Sequence, residues 1–214
     1  MNKLTMVACG ALLAASSGVN AANIVVNGSF EADTISGAYE QLANVTGWES
    51  TGQFEIQRGS DHGGWSAFNT AYDGEQYLEL NSTALTSVWQ DLSTTTGQLY
   101  NLSFAYSGRS DTPGGLNSAL EVYWGGSQVV ATSVTSHSGW VVYNFSNLVA
   151  SNALTTLKFT SIEPQNAPSY GSFLDGVVVT AVPEPSTYGM LALGLGVMGL
   201  ISRRKRQQDQ HHLY

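Results

Sequence analysis

The chain has 214 residues, of which only 11% are charged, and its formal net charge is −8. Residues 22–182 carry three cations against fourteen carboxylates, a net charge of −11. This composition excludes nucleic-acid binding, because phosphates are held by clustered Lys and Arg side chains. The single cysteine, Cys9, lies near the N-terminus, so the middle of the chain cannot form a disulfide and depends on its core for stability.

The first 22 residues have the three-part layout of a secretory signal peptide: a short basic start, an apolar stretch, and small residues at the cleavage spacing. We predict a signal helix that is removed after Ala21 or Ala22. Lipidation at Cys9 is a weaker alternative, because almost no hydrophobic region precedes that residue. Residues 23–181 then have the size of one domain.

The middle of the chain is predicted to be β-structure throughout, because short runs of Val, Tyr, Phe, Trp and Thr alternate with turn-forming clusters. Tyr100, Leu102, Phe104 and Tyr106 are expected on one face of a sheet, with the residues between them on the other. The expected strands are Ile24–Asn27, Phe54–Gln57, Gln76–Leu80, Ser87–Leu92, Leu99–Ser107, Ala119–Trp124, Gln128–Val134, Trp140–Phe145, Leu154–Thr160 and Ser172–Thr180.

Short strands separated by turns indicate an all-β fold, a two-sheet antiparallel β-sandwich of the jelly-roll type. Trp48 and Trp140 are expected in its core. The segments Glu31–Thr51 and Arg58–Asp73 are expected to be poor in strands and are rich in Gly, Asn and aromatic residues. Long loops on a rigid β scaffold usually carry the binding residues, so we expect the functional site there.

The C-terminal segment, residues 182–206, contains three ordered elements. Pro183, Glu184 and Pro185 form a proline motif, an apolar run of fourteen residues follows at 188–201, and a basic cluster closes the segment. A membrane span normally needs about 20 residues, so the transmembrane helix that we predict here is a short one. The basic cluster is expected to keep its C-terminal end in the cytoplasm. The basic cluster consists of Arg203, Arg204, Lys205 and Arg206.

This arrangement resembles the PEP-CTERM sorting signal of Gram-negative bacteria. The resemblance implies processing by an exosortase, a precursor tethered to the inner membrane, and a final place at the cell surface or outside the cell. It also implies a setting in which exopolysaccharide is made. A permanent single-pass anchor is the alternative. Residues 207–214 extend past the usual end of such signals and are expected to be a disordered tail.

Three short motifs in the middle carry a second resemblance. Residues 27–31 read NGSFE, Gly47-Trp48 follows, and residues 173–177 read FLDGV. They are similar to motifs of galactose-binding-like jelly rolls, which include carbohydrate-binding modules, and the resemblance covers most of 23–181. The first and last strands of such a sandwich lie close together, which would bring Glu31 near Asp175.

Two neighbouring carboxylates repel each other unless they are protonated or bridged by a cation. The resemblance implies a structural calcium ion held by Glu31 and Asp175, with Asp73 and Asp33 as further candidate ligands. In the alternative, Glu31 caps a turn and Asp175 is hydrogen-bonded to the backbone.

Aromatic and polar residues of one loop form the candidate sugar site. Trp65 lies with Asp61 and Tyr72 in a Gly-rich loop, where a planar ring could stack on a sugar and a carboxylate could bind its hydroxyl groups. Arg109 is a further candidate, either for binding an acidic sugar or for an ion pair with Asp111.

The sequence offers no catalytic motif: it has no G-x-S-x-G elbow, HExxH, CxxC or phosphate-binding loop. With fourteen carboxylates, some pair at glycosidase spacing is expected by chance. We therefore predict a non-catalytic surface protein that binds extracellular polysaccharide. A structural or adhesion protein of the matrix without sugar binding is the main alternative, and a glycan-active enzyme is a lesser one.

Overall fold

The computed structural model describes residues 21–59, 70–109, 119–129, 134–135, 139–163 and 170–183, and in the C-terminal segment residues 189, 193–198 and 200. The middle of the chain is built from β-strands. Those in the described ranges are β1 (Tyr39–Leu42), β2 (Glu49–Ser50), β3 (Phe54–Arg58), β4 (Gln76–Glu79), β5 (Ser87–Ser93), β6 (Leu99–Ser107), β7 (Ala119–Trp124), β8 (Ser127–Gln128), β9 (Val134–Thr135), β10 (Val141–Val149), β11 (Leu154–Glu163) and β12 (Phe173–Ala181).

The strands form two antiparallel sheets. The first sheet has the order β1-β3-β4-β12-β6-β10 and the second has the order β2-β5-β11-β7-β8, with β9 also paired to β7. The last strand, β12, lies in the middle of the first sheet between β4 and β6. The prediction of an all-β, two-sheet antiparallel sandwich is confirmed.

The core lies between the two sheets and is built by alternation along the strands. Tyr100, Leu102 and Phe104 of β6 are buried in it, as the sequence pattern predicted. Phe104 meets Phe159 of β11 edge-to-face at 5.1 Å, which joins the sheets. Trp48 also packs on Phe159 and is buried, so its prediction as a core residue is confirmed. Aromatic pairs of this kind add to the stabilisation that comes from burial.

Several predicted boundaries differ from the structure. Residues 24–27 are not a strand: the residue before them, Asn23, makes an isolated bridge to Thr180, and the positive φ of Asn27, 52°, turns the chain away. The segment Glu31–Thr51, expected to be poor in strands, contains β1 and β2. Both are short strands at sheet edges. Few of their side chains are buried, so their sequences show little alternation of apolar and polar residues. The predicted strand 128–134 corresponds to β8 and β9, with residues 130–133 outside the described ranges.

The N-terminal turn lies directly against β12. The Val177 amide donates a hydrogen bond to the Gly28 carbonyl oxygen at 2.9 Å, and the Ile24 amide donates to Val179 at 2.9 Å. A Cβ atom on Gly28 would overlap the carbonyl oxygen of Val177, so only glycine allows this approach. The predicted proximity of the two ends of the domain is therefore confirmed.

The C-terminal segment is helical at residues 193–198, where the apolar side chains are exposed. Among the described residues, no helix is both long and apolar enough to cross a membrane. Pro183 is exposed just after β12. The predicted signal helix at 1–20, Glu184, Pro185 and the basic cluster lie outside the described residues.

Replacing Gly28 with alanine tests the approach to β12. We expect Gly28→Ala to lower the free energy of unfolding by about 2–3 kcal/mol, because the added methyl group must displace the β12 backbone. Urea unfolding of the full chain, purified in mild detergent, measures it. Gly37→Ala is the matched control, because a Cβ atom there has only an ordinary contact at 3.4 Å. Equal stability of the two variants would contradict the proposed constraint.

Candidate functional site

We call the side of the first sheet that faces away from the second sheet the outer face. It carries aromatic and charged side chains that are buried although they do not point into the core. Along β4, Leu78 points into the core between the sheets, whereas Tyr77 and Glu79 point to the outer face. Both are almost completely buried even so. This part of the outer face is therefore covered, although the Tyr77 hydroxyl has no hydrogen-bond partner among the described residues.

Four aromatic residues form a cluster on the outer face. Tyr77 meets Trp140 at 5.5 Å and Phe173 at 4.9 Å, both edge-to-face, and Tyr72 lies 6.3 Å from Trp140. Trp140 donates its indole N–H to the Thr70 carbonyl oxygen at 2.7 Å. Tyr72 is 49% exposed, so the cluster presents aromatic surface to solvent.

The prediction that Trp140 lies in the core between the sheets is wrong. Tyr143, three residues later, stacks on Phe104 and thereby sets which residues of β10 point inward. Trp140 belongs to the opposite set, with Val142 and Asn144, and it is only partly buried. The alternation of Tyr143 and Phe145 was the sequence signal that could have placed Trp140 on the outer face.

The structure places one of the three predicted platform residues. Tyr72 is in the aromatic cluster, whereas Trp65 and Asp61 lie outside the described residues. The segment that carries them, 60–69, leaves at Gly59 and returns at Thr70, and these two ends are in close contact. Since Thr70 is hydrogen-bonded to Trp140, the two described residues that flank this segment, Gly59 and Thr70, lie beside the aromatic cluster.

A buried carboxyl pair lies next to this cluster. Glu55 of β3 and Glu79 of β4 are directly opposite each other in the sheet. The Gln57 side-chain amide donates to both carboxyl groups, at 2.6 Å each, and Ser82 donates to Glu55 at 2.6 Å. Burial, followed by the negative charge of Glu55, raises the pKa of Glu79 to about 8. At neutral pH the pair therefore holds a proton.

Arg109 lies against this pair. Its guanidinium donates to Glu79 at 2.8 Å and lies 5.1 Å from the centre of the Tyr170 ring. Asp111, the ion-pair partner considered from the sequence, lies outside the described residues. The guanidinium opposes the rise of the Glu79 pKa, and the Glu79 side chain is fully buried. A role of Arg109 in binding an acidic sugar remains a prediction.

The predicted calcium ligands converge on the loop before β4. Asp175 accepts hydrogen bonds from the amides of Tyr72 and Asp73, at 2.8 and 3.0 Å. Glu31 accepts from the amides of Glu75 and Gln76, at 2.7 and 2.6 Å. Two carboxylates distant in sequence thus hold one loop in place.

The carboxyl groups of Glu31, Asp33 and Asp175 all accept hydrogen bonds from backbone amides. Asp175 also accepts from the amide of Gly176 at 2.6 Å, so both its oxygens bond to N–H groups, and Asp33 bonds to the amide and hydroxyl groups of Thr46. Burial raises the pKa of Asp175 to about 7, although the three amides favour its ionised form. In the described part of the chain, no group of three or more His, Cys, Asp or Glu side chains is arranged to hold a metal ion. Calcium binding remains a prediction.

The carboxyl pair should make stability depend on pH. The pKa of Glu79 is raised in the folded state, so its stabilising contribution is complete below about pH 4.5 and is lost as the pH rises through about 8. We expect the free energy of unfolding to fall by roughly 1–4 kcal/mol between pH 5 and pH 9. Urea unfolding across this range measures the change.

Glu79→Gln should reduce this pH dependence because it removes the titrating carboxyl group. This holds whether the variant is more or less stable than the wild type. Glu40→Gln, at an exposed position on β1, is the control and should leave the dependence as in the wild type. An unchanged pH profile in Glu79→Gln would contradict the assignment.

Comparison with known proteins places these features in a family. The family described as "Protein of unknown function (DUF642)" matches residues 23–180, and the PEP-CTERM protein-sorting motif matches residues 181–206. No curated protein matches the sequence.

Solved structures support the fold. The chain is similar to TmCBM61, solved in complex with beta-1,4-galactotriose, with 16% identity, a TM-score of 0.51, and coverage of 75% of this chain and 99% of that one. The chain is also similar to two further solved structures, at lower TM-scores. They are the CBM22-1 xylan-binding domain from Paenibacillus barcinonensis Xyn10C (15% identity, 70% and 99% coverage, TM-score 0.43) and CBM35 from Paenibacillus barcinonensis (17%, 68% and 100%, 0.40).

At such identities the likeness establishes the jelly-roll fold and leaves the ligand open. The family match covers the whole sandwich, including the turn at Gly28, the outer face and the loop held by Glu31 and Asp175. The chain therefore belongs to the family described as protein of unknown function (DUF642), and it carries a PEP-CTERM protein-sorting motif after its last strand.

Proposed function

We propose that this protein is an exported, non-catalytic carbohydrate-binding protein whose ligand lies on the outer face of the first sheet. The observation that carries the proposal is the pair formed by Tyr72 and Trp140, two adjacent aromatic side chains of which Trp140 is hydrogen-bonded to the Thr70 carbonyl oxygen. An exposed aromatic ring can stack on the apolar side of a sugar ring. The jelly-roll fold is compatible with this function but does not by itself imply it.

The sorting motif supports export and a place outside the cytoplasm. We propose that an exosortase processes the C-terminal segment, that the precursor contacts the membrane transiently, and that the mature protein acts at the cell surface or in the extracellular matrix. The acidic domain is suited to such a setting, because its net charge keeps it soluble.

The aromatic pair can be tested directly. Affinity electrophoresis of the full chain in mild detergent, against a panel of plant and bacterial polysaccharides, should reveal retardation by at least one of them. Tyr72→Ala and Trp140→Ala should weaken that retardation by about tenfold or more, because each removes an aromatic contact surface. Trp89→Ala, at a partly buried position of β5 in the second sheet, is the matched control and should bind as the wild type does.

Retardation by no polysaccharide would refute the proposal and favour a structural or adhesion role in the matrix. Retardation that both aromatic variants retain would place the sugar elsewhere. Melting temperatures of all variants separate loss of binding from loss of folding.

A structural calcium ion at Glu31 and Asp175, with Asp73 as a third ligand, is part of the proposal. The ion would bind to carboxyl groups that also accept hydrogen bonds from backbone amides. We expect a chelator to lower the melting temperature of the wild type, because an ion that binds only the folded state stabilises it. Asp175→Asn should abolish this sensitivity, and an unchanged wild-type transition would remove calcium from the proposal.

A further inference from the structure

The outer face continues from the aromatic cluster into a groove that is lined by both polar and apolar residues. The groove has a volume of about 180 Å³ and crosses β12, β6 and β10. Its apolar lining residues are Leu102, Phe145 and Val178, and its polar ones are Asn101, Ser103, Asn144, Ser146 and Thr180.

The register of the strands explains why these side chains meet. Ser103 of β6 lies between Asn144 of β10 and Val178 of β12, and Asn101 lies opposite Thr180. Residues paired in this way point to the same face of a sheet. The register shifts next to the groove, between residues 175 and 178 of β12 and between 145 and 148 of β10. Such irregularities bend strands and are common next to functional sites.

The chemistry of the groove suits a sugar. Amide and hydroxyl groups both donate and accept hydrogen bonds, as sugar hydroxyl groups do, and Val178, 37% exposed, offers an apolar contact. Asn144 and Ser146 are exposed, so they can reach a ligand without any rearrangement of the sheet. Among the described residues that line the groove, none is charged.

The charge of the whole domain limits the ligand further. Residues 22–182 contain only three cations, and each already has a partner. Arg58 pairs with Glu75, Arg109 pairs with Glu79, and Lys158 lies over the Tyr123 ring at 4.5 Å. A polysaccharide with repeated carboxylate or sulfate groups would meet a domain with only three cations against fourteen carboxyl groups, and repulsion would weaken its binding.

We propose that the groove on β12, β6 and β10 binds an uncharged glycan as the second contact of the chain held by Tyr72 and Trp140. The inference rests on the proposed function and adds the location and the chemical class of the ligand. Trp140 and Asn144 are four residues apart, about 13 Å in extended strand, which is longer than one sugar ring. A ligand that touches both is an oligosaccharide or a polysaccharide segment.

The experiment compares uncharged with acidic glycans. The full chain in mild detergent is analysed by affinity electrophoresis with hydroxyethyl cellulose, xylan and β-1,4-galactan, and with carboxymethyl cellulose, polygalacturonate and alginate. Each glycan is tested at low salt and at high salt, with calcium and with chelator. We expect retardation by at least one uncharged glycan, and we expect it to persist at high salt. Salt screens interactions between charges and does not screen contacts with an uncharged ligand.

Two variants test the groove itself. Asn144→Ala removes an amide from the groove, and Ser103→Phe fills the space between Asn144 and Val178. We expect each to weaken retardation by the uncharged glycan about tenfold, the effect of losing one or two hydrogen bonds. Asn152→Ala, at an exposed turn between β10 and β11, is the matched control and should bind normally. Melting temperatures show that the variants are folded.

The outcomes separate this inference from the proposed function. Retardation by acidic glycans alone, lost at high salt or with chelator, overturns the uncharged class while carbohydrate binding stands. Retardation by an uncharged glycan that neither groove variant weakens overturns the groove as its site. Absence of retardation by every glycan overturns both proposals.

Discussion

The close approach of the N-terminal turn to the last strand is the constraint on which the other features depend. Gly28 lies against the Val177 backbone, with no space for a side chain, and the Val177 amide bonds to its carbonyl oxygen. The same turn places Asn27 to accept a hydrogen bond from the Trp48 indole at 3.0 Å. Because Trp48 packs on Phe159 of the second sheet, the contact also links the turn to the core. Three motifs far apart in sequence thus meet at this turn, through the Val177–Gly28 and Trp48–Asn27 hydrogen bonds.

The position of β12 in the middle of the first sheet extends this constraint to the candidate site. Its inward residues complete the core. On the outer face, Phe173 packs into the aromatic cluster, Asp175 holds the loop that carries Tyr72, and Val178 and Thr180 line the groove. One face of β12 belongs to the core and the other carries residues of the candidate site. A substitution in β12 would therefore change the stability of the domain and the shape of the site together. Variants of β12 are therefore poor tests of ligand contact, and the residues of β6 and β10 are better ones.

Charge has two separate roles in this domain. At the covered end of the outer face, Glu55 and Glu79 share a network with Gln57 and Arg109, in which burial keeps one carboxyl group protonated near neutral pH. At the open end, the groove combines polar and apolar residues, and none of its described lining residues is charged. The first arrangement fixes strands and loops together, and it makes stability depend on pH. The second leaves hydrogen-bonding groups available to a ligand.

Local patterns in the sequence determined the fold class, most strands, the burial of Trp48 and the sorting motif, because alternation, turn residues and ordered hydrophobic and basic runs are properties of short segments. Only the tertiary structure decided which face Trp140 joins, that Glu79 opposes Glu55, and that Asn101, Ser103 and Asn144 border one groove. These facts depend on strand order and register, which bring together residues tens of positions apart. No short segment encodes such pairings by itself, since shifting a strand by one residue reverses the direction of every side chain.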